Sequence, residues 1–159
     1  MSTIVLNTSG LSALIKIDAL DLLENMFPKS DIIIPTGVLK EFNKKFKHKP
    51  NFIEERELNE IQRRRANSMD LGRGEREVIV LAEDSNGVVI MDEGKGRKEC
   101  EKRGIEYIGV LGIIREGYID CLLSEKERNV LIERIENSNF YYKEHLIEWV
   151  LDAKKRDSN

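Results

Sequence analysis

LGRGEREVIVLAEDSNGVVIMDEGKGRK, residues 71–98, is the stretch whose reading decides the fold. It reads as a helix over 73–84, a tight turn at Asn86-Gly87, a buried strand over 88–91, and a second turn that opens a helix over 94–103. Two carboxylates stand at its corners. Glu75 lies in the first turn of the first helix, and Asp92 follows directly on the apolar run of the strand. A strand that ends in Asp, then Glu93 and Gly94, sets a carboxylate at the C-terminal edge of a sheet, where open α/β sheets bind ligands.

The rest of the chain extends the same alternation. Residues 3–6 (TIVL) and 32–34 (III) are short β-branched runs bounded by turn residues, and both read as buried strands. Apolar residues at helical spacing predict one helix over 11–26, capped by Ser9 or Ser12, and another over 37–46, capped by Thr36. Residues 44–51 are basic, contain Pro50 and read as a loop. Residues 52–66 read as one highly charged helix with a narrow stripe of Phe52, Ile53, Leu58 and Ile61. Gly104 closes the helix over 94–103. A strand over 106–108 and a helix over 109–116 follow, and then two amphipathic helices over 124–156 that part near Asn137-Ser138-Asn139. Ser124 and Glu127 have capping-box spacing. Short strands alternating with helices imply parallel crossovers in a doubly wound sheet. The expected fold is a three-layer α/β/α domain whose central, mainly parallel sheet has about four to five strands, with a helical C-terminal addition. One domain is expected over residues 1–159, with a core over about 3–118 and the C-terminal helices over about 124–156.

Composition narrows the class. The 159 residues carry a net charge of −3, are 35% charged, and include only two His and two Cys. Cys100 and Cys121 lack metal-ligand spacing and read as reduced, buried thiols of a cytoplasmic protein. No basic leader precedes the first strand, and no apolar run reaches the roughly 18 residues of a membrane span. The overall charge argues against a coat for nucleic acid. Locally, however, residues 43–65 hold eight Lys and Arg against four Glu, which marks either a phosphate-contacting surface or a solvated, ion-paired helix face.

Four positions fall at equivalent corners of a parallel sheet. Asn7 ends the first strand, Glu41 lies in the helix after the second, Glu75 opens the helix before the strand over 88–91, and Asp92 ends that strand. Three carboxylates and an amide oxygen on one edge repel one another unless a divalent cation neutralises them. Hard oxygen donors suit Mg2+ or Mn2+. The matching chemistry is metal-assisted phosphodiester hydrolysis. Single motifs exclude other sites: Gly72-Arg73-Gly74 has no preceding strand, Gly94-Lys95-Gly96 has no Ser or Thr after the lysine, and the two His are isolated.

Taken together, IVLNTSGLSALIKI (4–17), IIIPTGVLKEF (32–42), LGRGEREVIVLA (71–82), VVIMDEGKGRKEC (88–100) and GIEYIGVLGII (104–114) resemble the PIN domain, a small metal-dependent nuclease fold. They are similar to the VapC-like toxins and, more closely, to a branch of predicted nucleases with Asn-Thr-Ser after strand one. The resemblance implies an acidic quartet at Asn7, Glu41, Glu75 and Asp92, with Glu93 assisting. It also implies an Mg2+ or Mn2+ cofactor, and Thr8, Ser9, Lys16, Lys95 and Arg97 around the substrate. Cleavage of single-stranded RNA, a protein antitoxin and a homodimer are implied as well. The departure is Asn7, where the family's usual Asp would add a charge. The alternative function is a PIN-like module that binds RNA or a protein partner without turnover. A phosphoacceptor receiver ranks third, since Asn7-Thr8 does not supply the acidic pair that it needs.

Overall fold

The computed structural model describes residues 2–92, 94–139 and 142–156. Their contacts divide the chain into two compact units. One contains residues 1–12 and Lys29–Ile108, the other Ala13–Pro28 and everything from Gly109 on.

Among the described residues, the first unit is built on a sheet of five strands, all parallel: β1 (Thr3–Leu6), β2 (Asp31–Pro35), β3 (Ile53–Arg56), β4 (Val88–Ile90) and β5 (Glu106–Ile108). Their order is β3-β2-β1-β4-β5. Connections step outward from β1 to β3, then jump back to β4 and step the other way to β5. Right-handed crossovers therefore lie on opposite faces in the two halves, which gives the three-layer α/β/α arrangement. The direction reverses between β1 and β4, so a crevice opens beyond the carboxyl ends of those two strands. Ile4, Val5, Leu6, Ile33, Ile34, Val89 and Ile90 are at 0% exposure, the continuous apolar run of strands covered on both faces.

The helices of this unit are α3 (Thr36–Asn43), α4 (Glu60–Asn67), α5 (Arg73–Ser85) and α6 (Gly94–Arg103). Earlier in the chain, α1 (Thr8–Lys16) begins in the first unit and leads to α2 (Leu20–Met26) in the second. The second unit continues with α7 (Val110–Ile119), α8 (Glu125–Glu136) and α9 (Glu144–Leu151). Within it, Gly117 lets Leu22 approach, Arg134 donates to the Ile17 carbonyl (2.9 Å), and the nearly buried Arg128 stacks on Tyr118 (4.3 Å) while donating to the Leu151 carbonyl. Trp149 is 45% exposed, with the Arg115 guanidinium 4.6 Å above its ring. Among the described residues, no helix is long and apolar enough to cross a membrane.

Several sequence expectations are corrected. The single helix expected over 11–26 is two helices, because Asp18 adopts a left-handed conformation (φ 57°). The Asp18 N–H bonds the Ile15 carbonyl and the Ala19 N–H bonds the Leu14 carbonyl, a Schellman closure of α1. The same closure ends α5 at Asn86, α6 at Gly104 and α7 at Cys121 (φ 62°). That last position turns Cys121 out to solvent, so only Cys100 is buried. The cap of α1 is neither Ser9 nor Ser12: the Asn7 side-chain Oδ1 accepts the Gly10 N–H at 2.9 Å. Thr36 is the first residue of α3, after Pro35, and its hydroxyl donates to Glu55 (2.9 Å).

The charged helix expected over 52–66 is a strand and a shorter helix. Ile53 alone of IEER faces inward, and Glu54, Glu55 and Arg56 guard an edge strand against pairing with another chain. The helix cannot begin before Glu60, because Asn59 and Gln62 form a reciprocal capping box. Ile53 and Leu58 are core, while Ile61 is 71% exposed. The capping box expected at Ser124 and Glu127 is present.

The two cysteines should differ chemically. Burial, with Glu99 and Glu101 nearby, pushes the Cys100 thiol up to about 11. Since the thiolate is the nucleophile, an alkylating reagent near pH 8 should label one cysteine per native chain, Cys121, and two after denaturation. Rapid native labelling of both would contradict the burial of Cys100.

Candidate active site

Asn7-Thr8-Ser9 lies at the carboxyl end of β1, and its three side chains tie together the elements around the crevice. The Asn7 backbone N–H continues the sheet by bonding the Ile90 carbonyl (3.2 Å). The Asn7 side chain, 1% exposed, caps α1. Its Oδ1 also accepts the Ser9 hydroxyl (2.9 Å). That hydroxyl in turn accepts the Asp92 backbone N–H (3.3 Å), which joins the ends of β1 and β4. The Thr8 hydroxyl donates to Glu41 Oε2 at 2.6 Å and so brings in α3.

Two glycines set how closely the surrounding helices approach. Gly10 sits against the β4 backbone: a Cβ there would be 2.6 Å from the Ile90 carbonyl oxygen. Gly74, in the first turn of α5, receives Glu41, whose Oε1 would be 2.8 Å from an added Cβ. Glu75 is the next residue, half-buried, and its side chain makes no hydrogen bond or ion pair among the described residues.

Asp92 is paired. Arg97, one turn into α6, donates to Asp92 Oδ1 (3.2 Å) and to the Met91 carbonyl from both Nε and Nη2. Its guanidinium also lies 5.3 Å from the Tyr107 ring centroid. An arginine expected to meet phosphate is thus engaged with the Asp92 carboxylate, and a phosphate would have to compete with that carboxylate for it. Lys95 is exposed in the first turn of α6. Lys16 is exposed at the far end of α1, eight residues beyond Thr8 and roughly 12 Å along the helix. Glu93 lies outside the described residues.

The structure therefore links Asn7, Ser9 and the Asp92 backbone through one set of hydrogen bonds and Thr8 with Glu41 through another, and sets Glu75 beside the glycine against which Glu41 rests. Among the described residues, no three His, Cys, Asp or Glu side chains stand together as a metal-binding group.

Sequence reasoning missed Glu77. This acid, 7% exposed on the apolar face of α5, accepts the Gly37 N–H (2.7 Å) at the start of α3 and the Arg73 guanidinium (3.1 Å). It serves the free N–H groups of α3 from another helix, since α3 has no side-chain cap of its own. The available signal was an acid three residues after Gly74, on the same side of the helix as Val78 and Leu81.

The second unit has a groove of about 380 Å³ between α2 and α8, lined by Leu22, Leu122, Leu123, Val130, Lys126 and Arg134 among others. None of the residues expected at the site lines it.

A family model described as a PIN domain matches residues 3–156. Searches among curated proteins and among solved structures gave no significant match. A match spanning nearly the whole sequence, on a chain whose sheet is all parallel, means that the protein belongs to the PIN domain family and carries a nuclease-type fold.

Proposed function

We propose that the protein is a metal-dependent ribonuclease that hydrolyses phosphodiester bonds of single-stranded RNA, with Glu41, Glu75 and Asp92 as its working acids. The observation that carries this reading is the hydrogen-bonded Asn7-Thr8-Ser9 turn, which holds Glu41 and Asp92 around the crevice between β1 and β4. The donor chemistry fits a hard divalent cation, Mg2+ or Mn2+. Gly74 leaves the cradle that Glu41 Oε1 occupies and that a Cβ would fill. Glu93 is a further candidate donor. When bound, such an ion activates a water and stabilises charge on the phosphate. Two or three carboxylates without a preformed cage suit an ion that takes substrate phosphate oxygens as further ligands.

The chain's own residues do the positioning. Thr8 holds one oxygen of Glu41, Ser9 fixes the backbone at Asp92, and Arg97 orients the Asp92 carboxylate while standing ready for phosphate. Lys16 and Lys95 are further candidate phosphate contacts. Asn7 takes a different part in this reading. Its carbonyl oxygen already accepts two hydrogen bonds, so what remains on that amide is a donor NH2 where Asp would present a second oxygen.

Replacing Asn7 by Asp keeps the cap and adds one anionic oxygen. One more ligand charge raises cation affinity by roughly 1.4–2.8 kcal/mol, about tenfold to hundredfold. Mn2+ titration of cleavage of a fluorogenic RNA should show a midpoint lowered by that factor. An unchanged midpoint would separate position 7 from cation binding.

A second reading has its own observation. With Asn7 Oδ1 occupied and Asp92 neutralised by Arg97, the site can hold RNA or a protein partner without turnover. RNA binding by parent and Asn7→Asp alike, with neither cleaving, would favour it.

Within the leading proposal the protein is a cytoplasmic homodimer and the toxin of a toxin–antitoxin pair. Ile61, an exposed apolar position on α4, suits contact with a protein partner. Light scattering of the purified chain tests the dimer.

A further inference from the structure

The positive surplus of residues 43–65 splits into two chemically different parts. Every arginine of α4 is ion-paired: Arg63 with Glu57, Arg64 with Glu60, and Arg65 with Glu83 and Asp84. Arg56 pairs with Glu54. Asp84, held below the usual carboxylate range by the Gln62 amide and then by Arg65, is a fixed member of this network. These arginines bind their own surface.

The lysines do not. Lys44, Lys45, Lys47 and Lys49 have no ion pair among the described residues, and no acid lies between Asn43 and Ile53. Lys44, Lys45, Lys47 and His48 are exposed. In their midst the half-exposed Phe46 stacks on the buried Phe42, with ring centroids 4.9 Å apart.

The path of the segment matters as much as its charge. The Lys44 N–H bonds the Glu41 carbonyl, so the lysines begin one helical turn beyond a site acid. The segment ends at Ile53, which pairs with Ile32 near the start of β2. The lysines therefore lie on the chain between Glu41, whose side chain meets Thr8, and Ile53, at the opposite edge of the sheet.

We infer that residues 44–49 form a track for the sugar-phosphate backbone of single-stranded RNA leaving the crevice, with Phe46 as a base-stacking platform. Unpaired lysines beside an aromatic ring combine the charge and the stacking surface that sequence-tolerant single-strand binding uses. The inference rests on the nuclease reading for where the strand leads, but binding by the track needs no cleavage.

The test is anisotropy of a labelled single-stranded RNA in EDTA, across a salt series. The quadruple variant Lys44→Gln, Lys45→Gln, Lys47→Gln, Lys49→Gln is compared with the double variant Arg63→Gln, Arg64→Gln. If three of the four lysines meet phosphate, the quadruple variant lowers the salt slope by about 2 and raises Kd about 100-fold near 0.1 M salt. The arginine variant, whose charges are already engaged, stays within about threefold of the parent. Circular dichroism checks that both are folded. A quadruple variant that binds like the parent overturns the track, as do equal losses in the two variants or a parent that binds no RNA. Cleavage in Mn2+, followed in parallel, keeps the two ideas apart. Cleavage with no lysine dependence of binding sinks the track alone, and lysine-dependent binding without cleavage sinks the nuclease alone.

Discussion

The Asp92→Asn variant is expected to lose metal-dependent RNA cleavage by on the order of 10³-fold while remaining folded. The change removes one charge and almost no volume. The new amide would still offer an oxygen to Arg97, and the backbone N–H that meets Ser9 is untouched, so the joint between β1 and β4 survives. The lost ion pair is partly exposed, with Arg97 at 33% and Asp92 at 17% of their side-chain surface, and costs about 1 kcal/mol or less. What disappears is the carboxylate at the sheet edge, and with it charge stabilisation worth several kcal/mol in the transition state. Single-turnover cleavage beside a urea melt reads both quantities. Undiminished cleavage by a folded variant would remove Asp92 from the mechanism.

Gly10→Ala should strongly destabilise the first unit. The new Cβ would lie 2.6 Å from the Ile90 carbonyl oxygen and 3.1 Å from its carbon, distances at which something must shift. A flexible side chain could move aside, but here the obstacle is the backbone of β4, which pairs with β1 on one side and β5 on the other. The first turn of α1 must lift instead, pulling the Gly10 N–H from Asn7. Overpacking against a fixed backbone plus a weakened cap should cost about 2–4 kcal/mol, a fall in Tm of roughly 5–15 °C for a chain of this size. Gly94→Ala is the control, since nothing lies within 4 Å of its added Cβ. Equal stability of the two variants would show that α1 does not rest on β4 as described.

How far the sequence could be read follows from what each residue has to do. Strands buried on both faces need unbroken apolar runs, so TIVL, III and VVI were legible. An edge strand needs only one inward residue, and IEER at 53–56 therefore passed for part of a charged helix. Helix ends marked by Gly104 and Asn86 were legible because those residues favour a left-handed conformation. Asp18 and Cys121 hold the same conformation without advertising it, which hid the break before α2 and the exposure of Cys121. At the site, the positions of Asn7 and Asp92 followed from strand ends. The commitment of the Asn7 oxygen to α1, the pairing of Arg97 with Asp92 and the role of Glu77 all depend on side chains meeting across the fold, which local sequence does not encode.

The meeting of α3 and α5 has one more consequence. Glu77 of α5 comes up against Gly37 of α3, and Glu41 of α3 comes up against Gly74 of α5. Each helix lends the other an acid and keeps a vacancy for the acid it receives. Such reciprocity behaves like a two-pin connector: sliding or rotating one helix unseats both pins at once. Mutational scanning should therefore find epistasis between 37 and 77 and between 41 and 74. A side chain at either glycine would be tolerated chiefly when the opposing glutamate is shortened. Divergence at these positions would then proceed by paired steps, which would slow drift at Glu41, an acid of the proposed mechanism, by tying it to a residue with no chemistry of its own.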